Sequence, residues 1–205
     1  MSTSRPIQRF SIGTSKREED LIALEEPMEL RIEGRSVAVV MRTPGDDIEL
    51  AIGFLLTEGV IEDIQDIQAI AHVVEPLDGS QNTVDTILAS GVPAKRRHLA
   101  DRSLFASSSC GVCGKSTLDR VFLNAPPFSQ YRSITAKMAC SLPAKLLESQ
   151  AMFAQTGGLH AAALFSMSGE LLVIREDIGR HNAVDKVIGY CVQQDILLQD
   201  VILLI

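Results

Sequence analysis

Residues 27–33 alternate apolar and polar with period two, and after Gly34-Arg35 a second apolar run occupies 36–41. Two such runs around a glycine turn predict a β-hairpin. Beyond Thr43-Pro44-Gly45-Asp46 the period changes. Ile48, Ala51, Ile52, Leu55 and Leu56 are spaced by 3, 1, 3 and 1, which makes one apolar helix face, closed by Gly59. Thr43 reads as the N-cap of that helix, with proline at the first position and an acid three residues on. Period-two patterning predicts two more strands at 67–74 and 83–89. Residues 1–20 carry no such pattern and read as a flexible, polar lead-in.

The second half alternates helix and strand. Ser141 and Pro143 predict a helix from 142 to about 155, stopped by Gly157-Gly158. Apolar runs at 160–165 and 170–175, joined through Ser166-Met167-Ser168-Gly169, predict a second hairpin. A helix follows from near Arg180 or His181 through Val184, Val187 and Ile188. The last residues, 201–205, form a buried-strand pattern, and the natural protein is expected to continue past it, because the final strand has no following loop to cover its apolar edge. The fold class is therefore α/β, with an α+β N-terminal part. The domain reading is a lead-in at 1–20, an N-terminal lobe at 21–105 and a second lobe at 106–205.

Composition narrows the function classes. The 205 residues are 46% hydrophobic, so the chain can bury a core, and the net charge of -7 argues against general nucleic-acid binding. No apolar run has the length of a membrane span, and the first twenty residues lack the apolar block of a secretory signal. The expectation is a cytoplasmic protein whose thiols stay reduced. Cys140 and Cys191, each alone among apolar residues, read as buried hydrophobes.

Cys110-Gly111-Val112-Cys113 is different. It is framed by Ser107-Ser108-Ser109 and Gly114, with no bulky neighbour to wall off Cys110. The residues that follow have helical spacing, and a helix N-terminus favours the thiolate. Structural zinc needs two more ligands than the pair supplies. Thioredoxin-like exchange places its pair directly after the first strand of a βαβ unit. A sulfur nucleophile or carrier, holding a persulfide on Cys110 with Cys113 assisting, needs the small, open frame seen here.

Two further segments stand out. Seven of the twelve residues in Arg175-Glu176-Asp177-Ile178-Gly179-Arg180-His181-Asn182-Ala183-Val184-Asp185-Lys186 are ionisable, and they straddle a strand-turn-helix junction. Arg180 and His181 at a helix N-terminus suit an anion, and Asp177 or Asp185 suits a guanine edge or ribose hydroxyl. The competing reading is a capped surface helix with local ion pairs. Thr156-Gly157-Gly158-Leu159-His160-Ala161-Ala162-Ala163 brings His160 beside a strand of small residues, either as a satisfied core histidine or as the border of the site. Lys95, Arg96 and Arg97 are weaker candidates for guiding phosphates.

Together with Glu25-Glu26-Pro27 and Leu50-Ala51-Ile52-Gly53-Phe54-Leu55-Leu56-Thr57-Glu58-Gly59-Val60-Ile61, these motifs resemble the FdhD/NarQ family, the formate dehydrogenase accessory sulfurtransferases. The resemblance spans roughly residues 25 to 205. It implies a cytidine-deaminase-like three-layer α/β sandwich for the C-terminal part. It implies a sulfurtransferase and chaperone that takes sulfur from a cysteine desulfurase to the molybdenum cofactor, bis-molybdopterin guanine dinucleotide, for formate dehydrogenase, with no metal of its own. By the same resemblance Cys110 is the persulfide carrier and Cys113 its partner, and a homodimer is common. Read onto this chain, the cofactor site is His160, Asp177, Gly179, Arg180, His181, Asn182 and Asp185. Family members continue past the final strand into a Ser-Gly-Arg turn and elements that help to bind the dinucleotide. Zinc deamination does not fit, because Ala161 and Ala162 follow His160 where H-x-E is needed and Ser109 precedes Cys110 in place of proline. The alternatives are a cofactor-binding chaperone without sulfur transfer, and a structural zinc module.

Overall fold

The computed structural model describes residues 1–75, 79–94, 96–97 and 132–205. The predicted first hairpin is β3 (Glu26–Ile32) and β4 (Arg35–Arg42), antiparallel, with Met28, Leu30 and Ile32 buried on the inner face. β5 (Ile67–Val73) and β6 (Thr83–Leu88) complete a four-stranded sheet of order β4-β3-β6-β5, in which only β3 and β6 run parallel. Helix α1 (Asp47–Thr57) covers this sheet, and Leu50, Ile52 and Leu55 join Met28, Leu30, Val40 and Val84 in one core.

The second lobe has a three-stranded antiparallel sheet of order β8-β7-β9, from β7 (His160–Ser166), β8 (Leu171–Asp177) and β9 (Val201–Leu204). Alternation along β7 divides its side chains between two helices. Ala162 and Leu164 meet Ala183, Val187 and Cys191 of α4 (Arg180–Gln193). Ala161, Ala163 and Phe165 meet Leu142 and Leu146 of α2 (Ala136–Ser149). A short helix α3 (Ala151–Thr156) ends at Gly157, whose φ of 66° is left-handed.

The lobes join where α1 crosses α4. A Cβ on Gly53 would lie 1.9 Å from the Asp185 carbonyl oxygen, and one on Gly189 would lie 1.8 Å from that of Glu49. Only glycine allows the two backbones this approach. The layers therefore run four-stranded sheet, α1, α4, three-stranded sheet, α2.

Four expectations are corrected. The first twenty residues are not loose: β1 (Ser2–Ser11) and β2 (Thr14–Ala23) pair along their whole length, supported by Arg9–Glu18 and Arg9–Asp20 ion pairs at 2.5 and 3.2 Å. No apolar face announces them, which is why period alone misses the pair. α1 starts at Asp47 rather than beside Thr43; its N-cap Asp46 is left-handed (φ 55°) and makes no side-chain cap. α2 starts at Ala136, capped by Thr135, and carries Pro143 in its interior. Cys140 is exposed, since the buried stripe of α2 is Leu142 and Leu146 with Met138 beside it, and Cys140 falls outside that spacing; Cys191 is buried as expected.

Candidate functional site

The end of β8 sends three consecutive side chains to three different elements. Arg175 reaches α1, making a bidentate pair with Glu49 at 2.6 and 2.8 Å, and its guanidinium sits 4.6 Å from the Tyr190 ring centre. The hydrogen-bonded Glu49 carboxylate raises its already high pKa. Glu176 accepts from the backbone N–H groups of Met152 and Phe153 at 2.9 and 2.7 Å, satisfying the first turn of α3. Asp177 turns inward and is fully buried.

Around Asp177 every polar atom is matched. One carboxylate oxygen accepts from Gly179 N–H at 2.8 Å and Asn182 Nδ2 at 2.9 Å; the other accepts from Thr43 N–H at 3.1 Å and Lys186 Nζ at 2.8 Å. Lys186, 1% exposed, also donates to the Thr43 carbonyl at 2.9 Å and more weakly to that of Glu176 at 3.4 Å. Asn182 donates a second bond to the Met41 carbonyl at 2.7 Å. A buried ion pair is tolerated only when its remaining donors and acceptors are satisfied in this way.

This arrangement fixes the first turn of α4. Gly179 is its N-cap residue, and no side chain caps the helix. Arg180 and His181 are exposed on that turn, and neither makes a hydrogen bond or ion pair with another described residue. His160, also exposed, opens β7 as the backbone partner of Asp177, which brings it to the same end of the sheet. A first turn with no side-chain cap thus has one exposed guanidinium and two exposed imidazoles at the same end of the sheet, a combination suited to an anion.

Asp185, in the second turn of α4, lies against α1. Burial, aided by the nearby Glu58 carboxylate, pushes its pKa up to about 7 against the opposing bond from Thr57. The Thr57 hydroxyl lies 3.1 Å from Asp185 Oδ1 and 3.2 Å from the Phe54 carbonyl. A single hydroxyl proton cannot serve both acceptors. A neutral Asp185 resolves this by donating to Thr57 Oγ1, which then donates to Phe54.

The proposed site residues therefore divide. His160, Arg180 and His181 are exposed at one end of the sheet, whereas Asp177, Gly179 and Asn182 form the support of that turn. Asp185 belongs to the helix crossing. Arg96 pairs with Asp66 at 2.6 Å, and Arg97 bonds Glu33 and the carbonyls of Val92 and Ala89, so both guanidinium groups are engaged inside the N-terminal lobe. Cys110, Cys113 and Lys95 lie outside the described residues. Sequence reasoning missed Thr43, Lys186 and Glu49 as parts of the support, and the buried Arg42 of the N-terminal lobe. Arg42, 2% exposed, forms a bidentate pair with Asp47 at 2.9 and 3.0 Å. Among the described residues there is no cluster of three or more metal-ligating side chains, and no helix is long and apolar enough to cross a membrane.

Residues 23–205 match the family model described as the FdhD/NarQ family. The chain belongs to this family. Among its relatives, the sulfur carrier protein FdhD of Mycolicibacterium paratuberculosis is 42% identical over 199 residues, covering 95% of this chain and 73% of the relative. The protein of the same name from Streptomyces coelicolor is 42% identical over 212 residues, covering 98% of this chain and 73% of its own. A crystal structure from Desulfotalea psychrophila, described as a formate dehydrogenase accessory protein, superposes with a TM-score of 0.66 at 22% identity, covering 98% of this chain and 71% of that one. That likeness establishes the family's fold for this chain, and the α/β class agrees with the sequence expectation.

Proposed function

We propose that this protein is a sulfur carrier and sulfurtransferase serving formate dehydrogenase, and that it passes sulfur from a cysteine desulfurase to bis-molybdopterin guanine dinucleotide. The observation that carries the reading is 42% identity, over 95% of the chain, to a relative named as a sulfur carrier. Cys110-Gly111-Val112-Cys113 supplies the chemistry that name requires.

In this scheme the Cys110 thiolate attacks the outer sulfur of the desulfurase persulfide. A new S–S bond forms on Cys110, the old one breaks, and the desulfurase leaves as its thiolate. In the delivery step the Cys113 thiolate attacks the Cys110 Sγ. This forms the Cys110–Cys113 disulfide and expels sulfide, carrying both electrons of the broken bond, to the receiving cofactor. A cellular dithiol then reduces the disulfide for the next round. The cofactor is cargo. Its phosphates suit Arg180, His181 and the uncapped first turn of α4, with His160 at the border and Asp177, Gly179 and Asn182 supporting from within, while Asp185 holds the helix crossing behind them. Such chemistry belongs in a reducing cytoplasm.

The test is the intact mass after incubation with a cysteine desulfurase and cysteine. One added sulfur, about 32 Da, mapping to Cys110 and absent from Cys110→Ala, is expected. No adduct on the wild type, or an equal yield of thiocyanate on cyanolysis of Cys110→Ala, defeats the carrier role and leaves a cofactor-binding chaperone.

A further inference from the structure

Thr43 is 2% exposed and directs all three of its polar groups across the lobe boundary. Its N–H donates to Asp177 at 3.1 Å, its carbonyl accepts from Lys186 at 2.9 Å, and its Oγ1 accepts from Ile178 N–H at 3.1 Å. None of them serves α1, the helix it precedes, whose N-cap is Asp46. Two residues earlier the Met41 carbonyl holds Asn182 at 2.7 Å. The turn from Ile178 into α4, which presents Arg180 and His181, is thus fastened by a loop of the other lobe, 134 to 143 residues away in sequence.

We propose that Thr43 is a positioning residue for the ligand-facing turn of α4, acting through Asp177 and Ile178 and touching no ligand itself. Its backbone contacts survive substitution, so the side-chain hydroxyl is the part that mutation can isolate. Without it the Ile178 N–H has no partner in a part-buried position, and the turn carrying Arg180 and His181 loses one of its fixed points. The consequence for cofactor binding rests on the function proposed above, whereas the consequence for the turn does not.

The test uses the full chain as wild type, Thr43→Val and Thr43→Ser. The probe is guanosine diphosphate, the guanosine and pyrophosphate end of each arm of the proposed cargo, titrated by calorimetry. Amide hydrogen exchange at residues 178–183 and the rate of Cys110 persulfide loading are measured alongside. The valine variant is expected to bind the nucleotide about tenfold more weakly, a factor set by a loss comparable to one neutral hydrogen bond. Its amides at 178–183 should exchange at least about tenfold faster, with loading within about twofold of wild type. The serine variant, which keeps the hydroxyl, should restore binding and exchange. Wild-type binding and exchange in Thr43→Val, failure of serine to rescue, or a matching fall in loading would overturn the proposal. Should the wild type bind no guanosine diphosphate, the cofactor-site reading fails by itself. The role of Thr43 is then decided by exchange alone: protection at 178–183 unchanged in Thr43→Val rejects it, and a local loss restored by serine upholds it.

Discussion

Replacing Lys186 by methionine keeps most of the side-chain volume and removes only the ammonium. In the wild type that ammonium meets Asp177 at 2.8 Å, the Thr43 carbonyl at 2.9 Å and the Glu176 carbonyl at 3.4 Å, in a place where the two charged side chains are 1% and 0% exposed. The variant strands a carboxylate in the interior, still fed by Gly179, Asn182 and Thr43 but without a countercharge. Removing one partner of a buried pair costs about 3–5 kcal/mol. Against a typical domain stability of about 5–15 kcal/mol, this is a large share of the total. Urea unfolding followed by circular dichroism measures it directly, provided the slope against denaturant is unchanged. Asp177→Asn alone should also destabilise, because its amide would press an N–H donor on the Lys186 ammonium or surrender acceptors to Gly179 and Asn182. The double variant restores neutrality, so its loss should fall short of the sum of the singles by at least about 2 kcal/mol. A loss below about 1 kcal/mol for Lys186→Met, or additive behaviour in the double variant, would refute the claim that this pair fastens the lobes.

Asp185→Asn places an amide donor where the neutral acid donates to Thr57. The folded pKa of about 7 lies above the unfolded value of about 3.9, so the wild type loses this contribution as pH rises through that interval. The variant should match wild type near pH 4 and exceed it by about 2 kcal/mol at pH 8, roughly half the ceiling set by the full shift because the residue keeps some solvent contact. A difference between the two that is flat with pH, seen in paired thermal melts at the two pH values, would contradict this. Gly53→Ala drives a methyl to 1.9 Å from the Asp185 carbonyl oxygen and should cost about 3 kcal/mol in chemical denaturation, whereas a near-neutral result would mean that the α1–α4 crossing is looser than described.

The elements with a clean period were legible. The five apolar positions of α1 share one face because burial against the sheet demands that spacing, and the β3–β4 hairpin follows from alternation in the same way. What failed depended on distant partners. Thr43-Pro44 has the local grammar of a helix start, yet Thr43 bonds to residues of the second lobe and α1 begins at Asp47. Pro143 has the local signature of a first-turn residue yet lies inside α2, where its exposed position leaves the broken backbone bond open to water. The β1–β2 pair buries little apolar surface and is joined by cross-strand charges, so hydrophobic periodicity carries no trace of it. Of the candidate site, the location was legible and the division of labour was not. Charge density marks the turn, but only the fold separates Asp177, buried, from Arg180, exposed three residues later.

That division alters how the charge-dense motif should be read. Arg175 is committed to Glu49, Glu176 to the first turn of α3, Asp177 to Lys186 and Asn182 to Met41, each contact being internal. These residues would be required even if nothing ever bound here, because they hold a turn that two lobes must build jointly. The exposed cationic and imidazole groups at its tip, Arg180, His181 and neighbouring His160, do none of this fastening among the described residues. A fold that needed only a surface helix could end it with a side-chain cap and a neutral turn. Here the side-chain cap is absent, the support beneath is fully satisfied, and the outward groups are left without partners among the described residues. Stability is the use that explains the inward groups, and the binding proposed above is the one assigned to the outward groups, so substitutions in the two sets should separate ligand affinity from folding free energy.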